Sequence, residues 1–174
     1  NAGRDGREWM SLFDGSQAGP GKRISGASIQ GKTPYENAYG PFTGGVRQHR
    51  ALVFDGRYLN YYINGVWQGQ RFAEPHEGLQ WKMTSLHIGC DGDRRRFFQG
   101  VIDQLRISRV ARYRRNFDPV SRVASDSTTL ALYDFREGQG GTLTDVSGNG
   151  HDGVIHGGTW IKAGPHDATP DGTR

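Results

Sequence analysis

Residues 49–72 hold three apolar runs separated by two dipeptides that force the chain to reverse. Residues 51–54 and 58–63 flank Asp55-Gly56, and residues 66–72 follow Asn64-Gly65. Asp-Gly and Asn-Gly supply the positive φ angles of type I′ turns, whose twist matches that of paired strands. The segment is therefore predicted to be a three-stranded antiparallel meander. Glycine content excludes the helical alternative. Twenty-seven of the 174 residues are glycine, roughly double the usual share, and each would destabilise a helix interior by roughly 0.5–1 kcal/mol relative to alanine.

The remainder of the chain reads as further strands with one exception. Residues 86–89 are predicted as a short fourth strand and 97–107 as a long fifth. Val110, Tyr113 and Phe117 then recur at i, i+3 and i+7 among arginines, the spacing of a short helix laid on a sheet, which Pro119 would stop. Residues 120–128 are a polar connector, 129–135 a strand, 136–153 a glycine-dense loop, and 154–161 a last strand. In the first 48 residues, 9–13 and 24–29 are strand candidates interrupted by Pro20-Gly21, Pro34 and Gly44-Gly45. The expected class is all-β: an antiparallel β-sandwich with one short helix, a single domain over residues 1–161 and a flexible tail at 162–174. No run approaches the roughly 18 apolar residues of a membrane span. The single cysteine, Cys90, excludes an intrachain disulfide.

Three groups of residues together resemble the laminin-G-like branch of the concanavalin A-like lectin and glucanase superfamily. They are Ala51-Leu52-Val53-Phe54-Asp55-Gly56 with Tyr61-Tyr62-Ile63-Asn64-Gly65; Leu86-His87-Ile88-Gly89 with residues 98–107; and Tyr133-Asp134-Phe135-Arg136-Glu137-Gly138 with Asp145-Val146-Ser147-Gly148-Asn149-Gly150. The resemblance covers about residues 49–161. It implies a jelly-roll sandwich with one concave sheet and an extracytoplasmic recognition role. In the family pattern the Asp-x-Ser-Gly-Asn segment opens a domain, whereas here it closes the chain. Either the chain is a piece of a longer protein, or a second copy begins here, or this branch carries the element at its end. Residues 1–48 show no obvious counterpart of the family's early strands.

Charge is concentrated rather than spread. Arg94, Arg95, Arg96, Arg106, Arg109, Arg112, Arg114 and Arg115 face one acid, Asp103, within that stretch, although the net charge of the whole chain is only +4. Guanidinium is a better fork than ammonium for carboxylate, sulfate or phosphate, so Arg94–96, Arg112, Arg114 and Arg115 are candidate contacts to an acidic glycan or an acidic protein surface. The competing reading is a solvated face whose arginines pair with nearby acids. No zinc-finger, helix-turn-helix or RNA-binding aromatic motif accompanies them, which argues against nucleic acid. Tyr58, Tyr62, Trp67 and Trp81 are candidate sugar-stacking rings, with Tyr62 and Trp67 singled out; burial in the core is the alternative for each.

Alternation along a strand at 97–107 would place Asp103 on the face of Val101, Leu105 and Ile107. A carboxylate there must be paired, hydrogen-bonded or metal-bound. Backbone N–H donors are one solution. The other follows from the resemblance, since many laminin-G-like domains bind calcium: a structural Ca²⁺ held by Asp103, Asp145 and Asn149, with hard oxygen ligands among glycines. Asp145 and Asn149 beside glycine are equally ordinary turn formers.

Catalytic signatures are missing. The Glu-x-Asp-x-x-Glu strand of the superfamily's β-glucanases does not occur, and of five glutamates only Glu74 and Glu77 lie close in sequence. The expectation is a non-catalytic recognition or adhesion module, bound to glycans or an acidic partner and joined to other domains of a parent protein. A structural or assembly domain is one alternative. The other is a hydrolase of the keto-disaccharide type, seeded by Glu8-Trp9-Met10-Ser11-Leu12-Phe13-Asp14-Gly15.

Overall fold

The computed structural model of the chain describes residues 9–19, 22–30, 36–41, 45–72, 85–90 and 97–162, with side chains at 45–70, 85–90 and 97–162. Arg94, Arg95, Arg96, Trp81 and residues 163–174 of the expected tail lie outside the described residues. Two compact units are present, Asn1–Phe98 with Ala111–Pro119, and Gln99–Val110 with Val120–Arg174.

The first unit contains two antiparallel sheets. Strands β1 (Trp9–Gly19), β2 (Lys22–Gln30) and β3 (Glu36–Pro41) form one in the order β1-β2-β3. Strands β4 (Arg50–Phe54), β5 (Tyr58–Ile63) and β6 (Val66–Phe72) form the other in the order β4-β5-β6. β3 lies against both β5 and β6, which brings the sheets together as an antiparallel sandwich. The predicted meander is thus present. The N-terminal region is more regular than its sequence implied: β1 runs well past residue 13 with register shifts at Phe13/Ser16 and Gln17/Gly19, and β3 has no counterpart in the sequence reading.

β5 is the heart of this unit because both of its faces are covered. Leu59 to Ile63 are all buried. Leu59, Tyr61 and Ile63 pack with Leu52 on one face. Asn60 and Tyr62 point to the other, as the two-residue alternation of a strand requires. The turns that frame β5 differ. Ile63 pairs with Val66, and Asn64 and Gly65 both have positive φ (48° and 74°), the type I′ turn expected. Asp55-Gly56 is not one. Phe54 pairs with Leu59, only Gly56 has positive φ, and Asp55 Oδ1 accepts the N–H groups of Arg57 (3.0 Å) and Tyr58 (2.7 Å). The aspartate side chain offers the backbone an alternative to the tight hairpin, and the connection widens.

In the second unit β7 (Leu105–Ser108) pairs with β8 (Thr129–Tyr133), and β9 (Thr142–Leu143) with β10 (Gly153–Val154), all antiparallel. Its buried residues include Ala131, Leu132, Tyr133 and Leu143.

Several expected elements are corrected. Residues 86–89 are irregular, bending from Ile88, rather than a strand, and of 97–107 only the end from Leu105 is strand. A side chain rather than a ladder anchors the segment: the Gln104 amide accepts the Val123 N–H (3.0 Å) and donates to the Val123 carbonyl (3.4 Å). Val101 is 62% exposed, so the apolar face assumed for Asp103 does not exist. The last strand is two residues long, Gly153–Val154. No helix occurs among the described residues, and residues 110–117 are irregular. Their donors are spent elsewhere, since the Phe117 N–H bonds the Gly65 carbonyl at 3.0 Å. The apolar spacing was sound in one respect: Tyr113 and Phe117 do share a side, with ring centroids 3.6 Å apart and planes within 5°.

Candidate functional site

The outer face of β5–β6 and residues 113–117 build a shallow, open groove in the first unit. Tyr62 supplies the foundation. It is 1% exposed, its hydroxyl donates to the Tyr113 carbonyl at 3.3 Å, and its ring meets those of Tyr113 (6.2 Å) and Phe117 (5.6 Å) at steep angles. Edge contacts of this kind contribute about 0.5–1.5 kcal/mol each beyond their area. His49 adds edge-on contacts to the same two rings. Burial first, and then the Asp55 charge, push the Tyr62 phenol above its ordinary pKa. Tyr62 is therefore a buried support, not the exposed stacking ring expected. Its place on the central strand, opposite a segment that brings two further aromatics, removes it from water.

Three hydrogen bonds latch residues 113–117 to the hairpin: Tyr62 hydroxyl to Tyr113 carbonyl, Phe117 N–H to Gly65 carbonyl, and Trp67 N–H to Asn116 Oδ1 at 2.8 Å. Gly65 permits this approach. A Cβ at Gly65 would lie 1.7 Å from the Phe117 carbonyl oxygen. The latched segment presents Arg114, Arg115 and Asn116 beside Trp67, Asn60 and Gln70, and together these line a cavity of about 530 Å³. Small-ligand sites typically occupy roughly 300–1,000 Å³.

Trp67 is held and yet accessible. It is 46% exposed, and its indole Nε1 donates to Asn60 Oδ1 at 3.1 Å. Asn60 is 8% exposed, an unusual place for an amide, and it is satisfied there: its Nδ2 reaches Asp55 Oδ2 and the Tyr58 carbonyl, both at 3.5 Å. Trp67 sits opposite Tyr62, and Gln70 opposite Asn60, across a register shift between β5 and β6. Arg114 and Arg115 are exposed, and neither has a hydrogen-bond or ion-pair partner among the described residues. Among the described residues that line it, none is acidic. The groove offers a pinned indole, amide donors and acceptors, and two cations at one place.

Of the residues singled out in the sequence, the fold unites Trp67, Arg114 and Arg115. Arg112 lies in the same segment, half-buried, and does not line the groove. Asn60, Gln70 and Asn116 carried no signal of their own. An alternation argument applied to β5, which puts Asn60 on the face of Tyr62, could have found the first.

Two of the three proposed metal ligands, Asp145 and Asn149, use their side chains to tie together backbone segments of the second unit. The Asp145 side chain is fully buried. Its Oδ1 accepts the N–H groups of Leu132 and Ser147, both at 2.9 Å, and its Oδ2 accepts the His151 N–H at 3.0 Å with the His151 Nδ1 at 3.2 Å. Burial alone would raise its carboxyl, but the donors from Leu132, Ser147 and His151 outweigh it and hold the group well below the usual range. Asn149 Nδ2 donates to the Thr129 and Leu130 carbonyls, both at 3.0 Å. The Asp103 carbonyl accepts from Arg122 Nη1, which also reaches the Asp134 carbonyl. Among the described residues no three of His, Cys, Asp and Glu gather as a metal centre would need.

Comparison with known families adds one finding. A laminin G family model, described as the concanavalin A-like lectin/glucanases superfamily, matches residues 2–115. No curated protein and no solved structure matches the chain significantly. The matched span includes β1–β3, in the region where the sequence showed no family counterpart, and it ends at Arg115 in the latched segment.

Proposed function

The chain belongs to the concanavalin A-like lectin/glucanase superfamily, and on that premise we propose that it is a non-catalytic carbohydrate-recognition module whose binding site is the Trp67 groove. Family membership supports a carbohydrate-binding or related role in general terms. The observation that carries the finer reading is Trp67, an exposed indole held in place by Asn60 and Asn116. Flat, rigid aromatic rings suit the apolar faces of sugars, and fixing the ring beforehand lowers the entropy lost on binding. The amides of Gln70 and Asn116 lie within the same lining and can serve sugar hydroxyls.

Glycosidases work with a pair of Asp or Glu carboxylates across the scissile bond. Among the described residues the lining of this groove has none, and this is what favours reading it as a recognition site. Recognition of glycans suits an extracytoplasmic module working beside other domains of a parent protein. A glycan array probed with the full chain and with Trp67→Ala is the test. Binding by the parent chain that disappears in the variant is expected; binding unaffected by Trp67→Ala would place the sugar site elsewhere.

A further inference from the structure

Arg114 and Arg115 add to the groove something that a neutral sugar would not use. Two adjacent guanidinium groups stand exposed in its lining, with no partner and no lining carboxylate among the described residues. Several other described arginines are engaged: Arg122 clasps two carbonyls, Arg136 approaches Asp134 at 3.8 Å, and Arg50 reaches Gln48. Placing like charges side by side is unfavourable without a counter-charge, and the latch holds these two against the Trp67 side of the groove. A ligand that satisfied the whole lining would therefore carry an anionic group next to a stackable face.

We propose that the groove selects acidic saccharides, in which a carboxylate or sulfate on a sugar ring is held by Arg114 and Arg115 while the ring lies on Trp67. The assignment rests on the carbohydrate reading above and deepens it. The planar guanidinium fork matches the geometry of both anions. The indole supplies what charge alone lacks, a requirement for a ring. A linear acidic peptide offers carboxylates without a rigid apolar face and should be a poor fit.

The test measures binding of the full chain to polygalacturonate, dextran sulfate, a panel of neutral glycans and polyglutamate, by calorimetry at low and physiological salt. Polygalacturonate, dextran sulfate or both should bind, more weakly as salt rises. Arg114→Gln and Arg115→Gln should each lower affinity by about tenfold, as the loss of a charge-assisted hydrogen bond predicts, and Trp67→Ala should lower it comparably, with Trp67→Tyr restoring part. The two polyanions tell carboxylate from sulfate recognition. Neutral glycans bound through Trp67 with the arginine variants silent would overturn the acidic assignment and leave the carbohydrate reading standing. Failure of every glycan, charged or neutral, would remove the carbohydrate reading itself. Polyglutamate binding as tightly as polygalacturonate, insensitive to Trp67→Ala, would show that the site reads charge alone and would overturn the proposal.

Discussion

Replacing Gly65 by alanine tests how the groove is built, because this position is constrained twice. Its φ of 74° lies in the left-handed region, where an L-residue is destabilised by roughly 1–2 kcal/mol. In addition, the new Cβ would sit 1.7 Å from the Phe117 carbonyl oxygen and about as near as contact allows to Pro119. Backbone must move, and the Phe117 N–H to Gly65 carbonyl bond (3.0 Å) is the first contact to go, at roughly 0.5–1.5 kcal/mol. The sum is about 1.5–3.5 kcal/mol, a large share of the roughly 5–15 kcal/mol that holds a domain together. Gly56→Ala provides the control. Gly56 also has positive φ (96°), yet nothing lies within 4 Å of its added Cβ, so only the conformational penalty of roughly 1–2 kcal/mol applies. Urea unfolding of both variants, with hydrogen exchange across residues 111–119, separates the two effects. Gly65→Ala is expected to be the less stable of the two, to lose protection in 111–119, and to weaken binding at the groove without altering any lining side chain. Equal destabilisation by both variants, with 111–119 still protected, would refute the latch.

Asp145→Ala would strand the N–H donors of Leu132, Ser147 and His151, and at roughly 1–3 kcal/mol for each unsatisfied buried donor the second unit should lose at least about 3 kcal/mol in chemical denaturation. The same carboxyl makes stability pH-dependent. Its folded pKa lies below that of an ordinary carboxyl, so its contribution is fully present above about pH 4 and declines as pH falls from there through the lower folded value; acid unfolding of Asp145→Asn should lack that component. Because both Asp145 oxygens already hold N–H donors, millimolar Ca²⁺ or chelator should leave the melting temperature unchanged, and a calcium-dependent rise would restore the metal reading. Asn60→Leu, which removes the acceptor of the Trp67 indole N–H, should broaden the Trp67 environment in fluorescence and weaken glycan binding more than it lowers stability.

The elements most legible in the sequence were those determined by neighbours along the chain. Asn64-Gly65 specified its turn because both residues tolerate positive φ, and the apolar run from Tyr58 to Ile63 marked a strand because a turn dipeptide bounds it on each side. Asp55-Gly56 shows where such reasoning stops: the same dipeptide type became a wider connection once the Asp55 carboxylate captured two N–H groups. The 97–107 strand and the 110–117 helix were misread for a related reason. Apolar spacing reports which residues share a side, and Tyr113 and Phe117 do, but it does not say which partner takes the backbone donors. In β1 to β3, strands pair across interruptions that the sequence presents as breaks.

The groove has the same divided origin. The arginine-rich stretch, the exposed tryptophan candidate and the lack of a glucanase signature were all readable from residue order. That Trp67 joins Arg114 and Arg115, some fifty positions away, while Tyr62 disappears beneath them, follows from contacts distant in sequence: an aromatic stack on the central strand and a glycine bare enough to admit a carbonyl. Local preferences set what each segment could become, and long-range packing chose which side chains were buried and which were left facing a ligand.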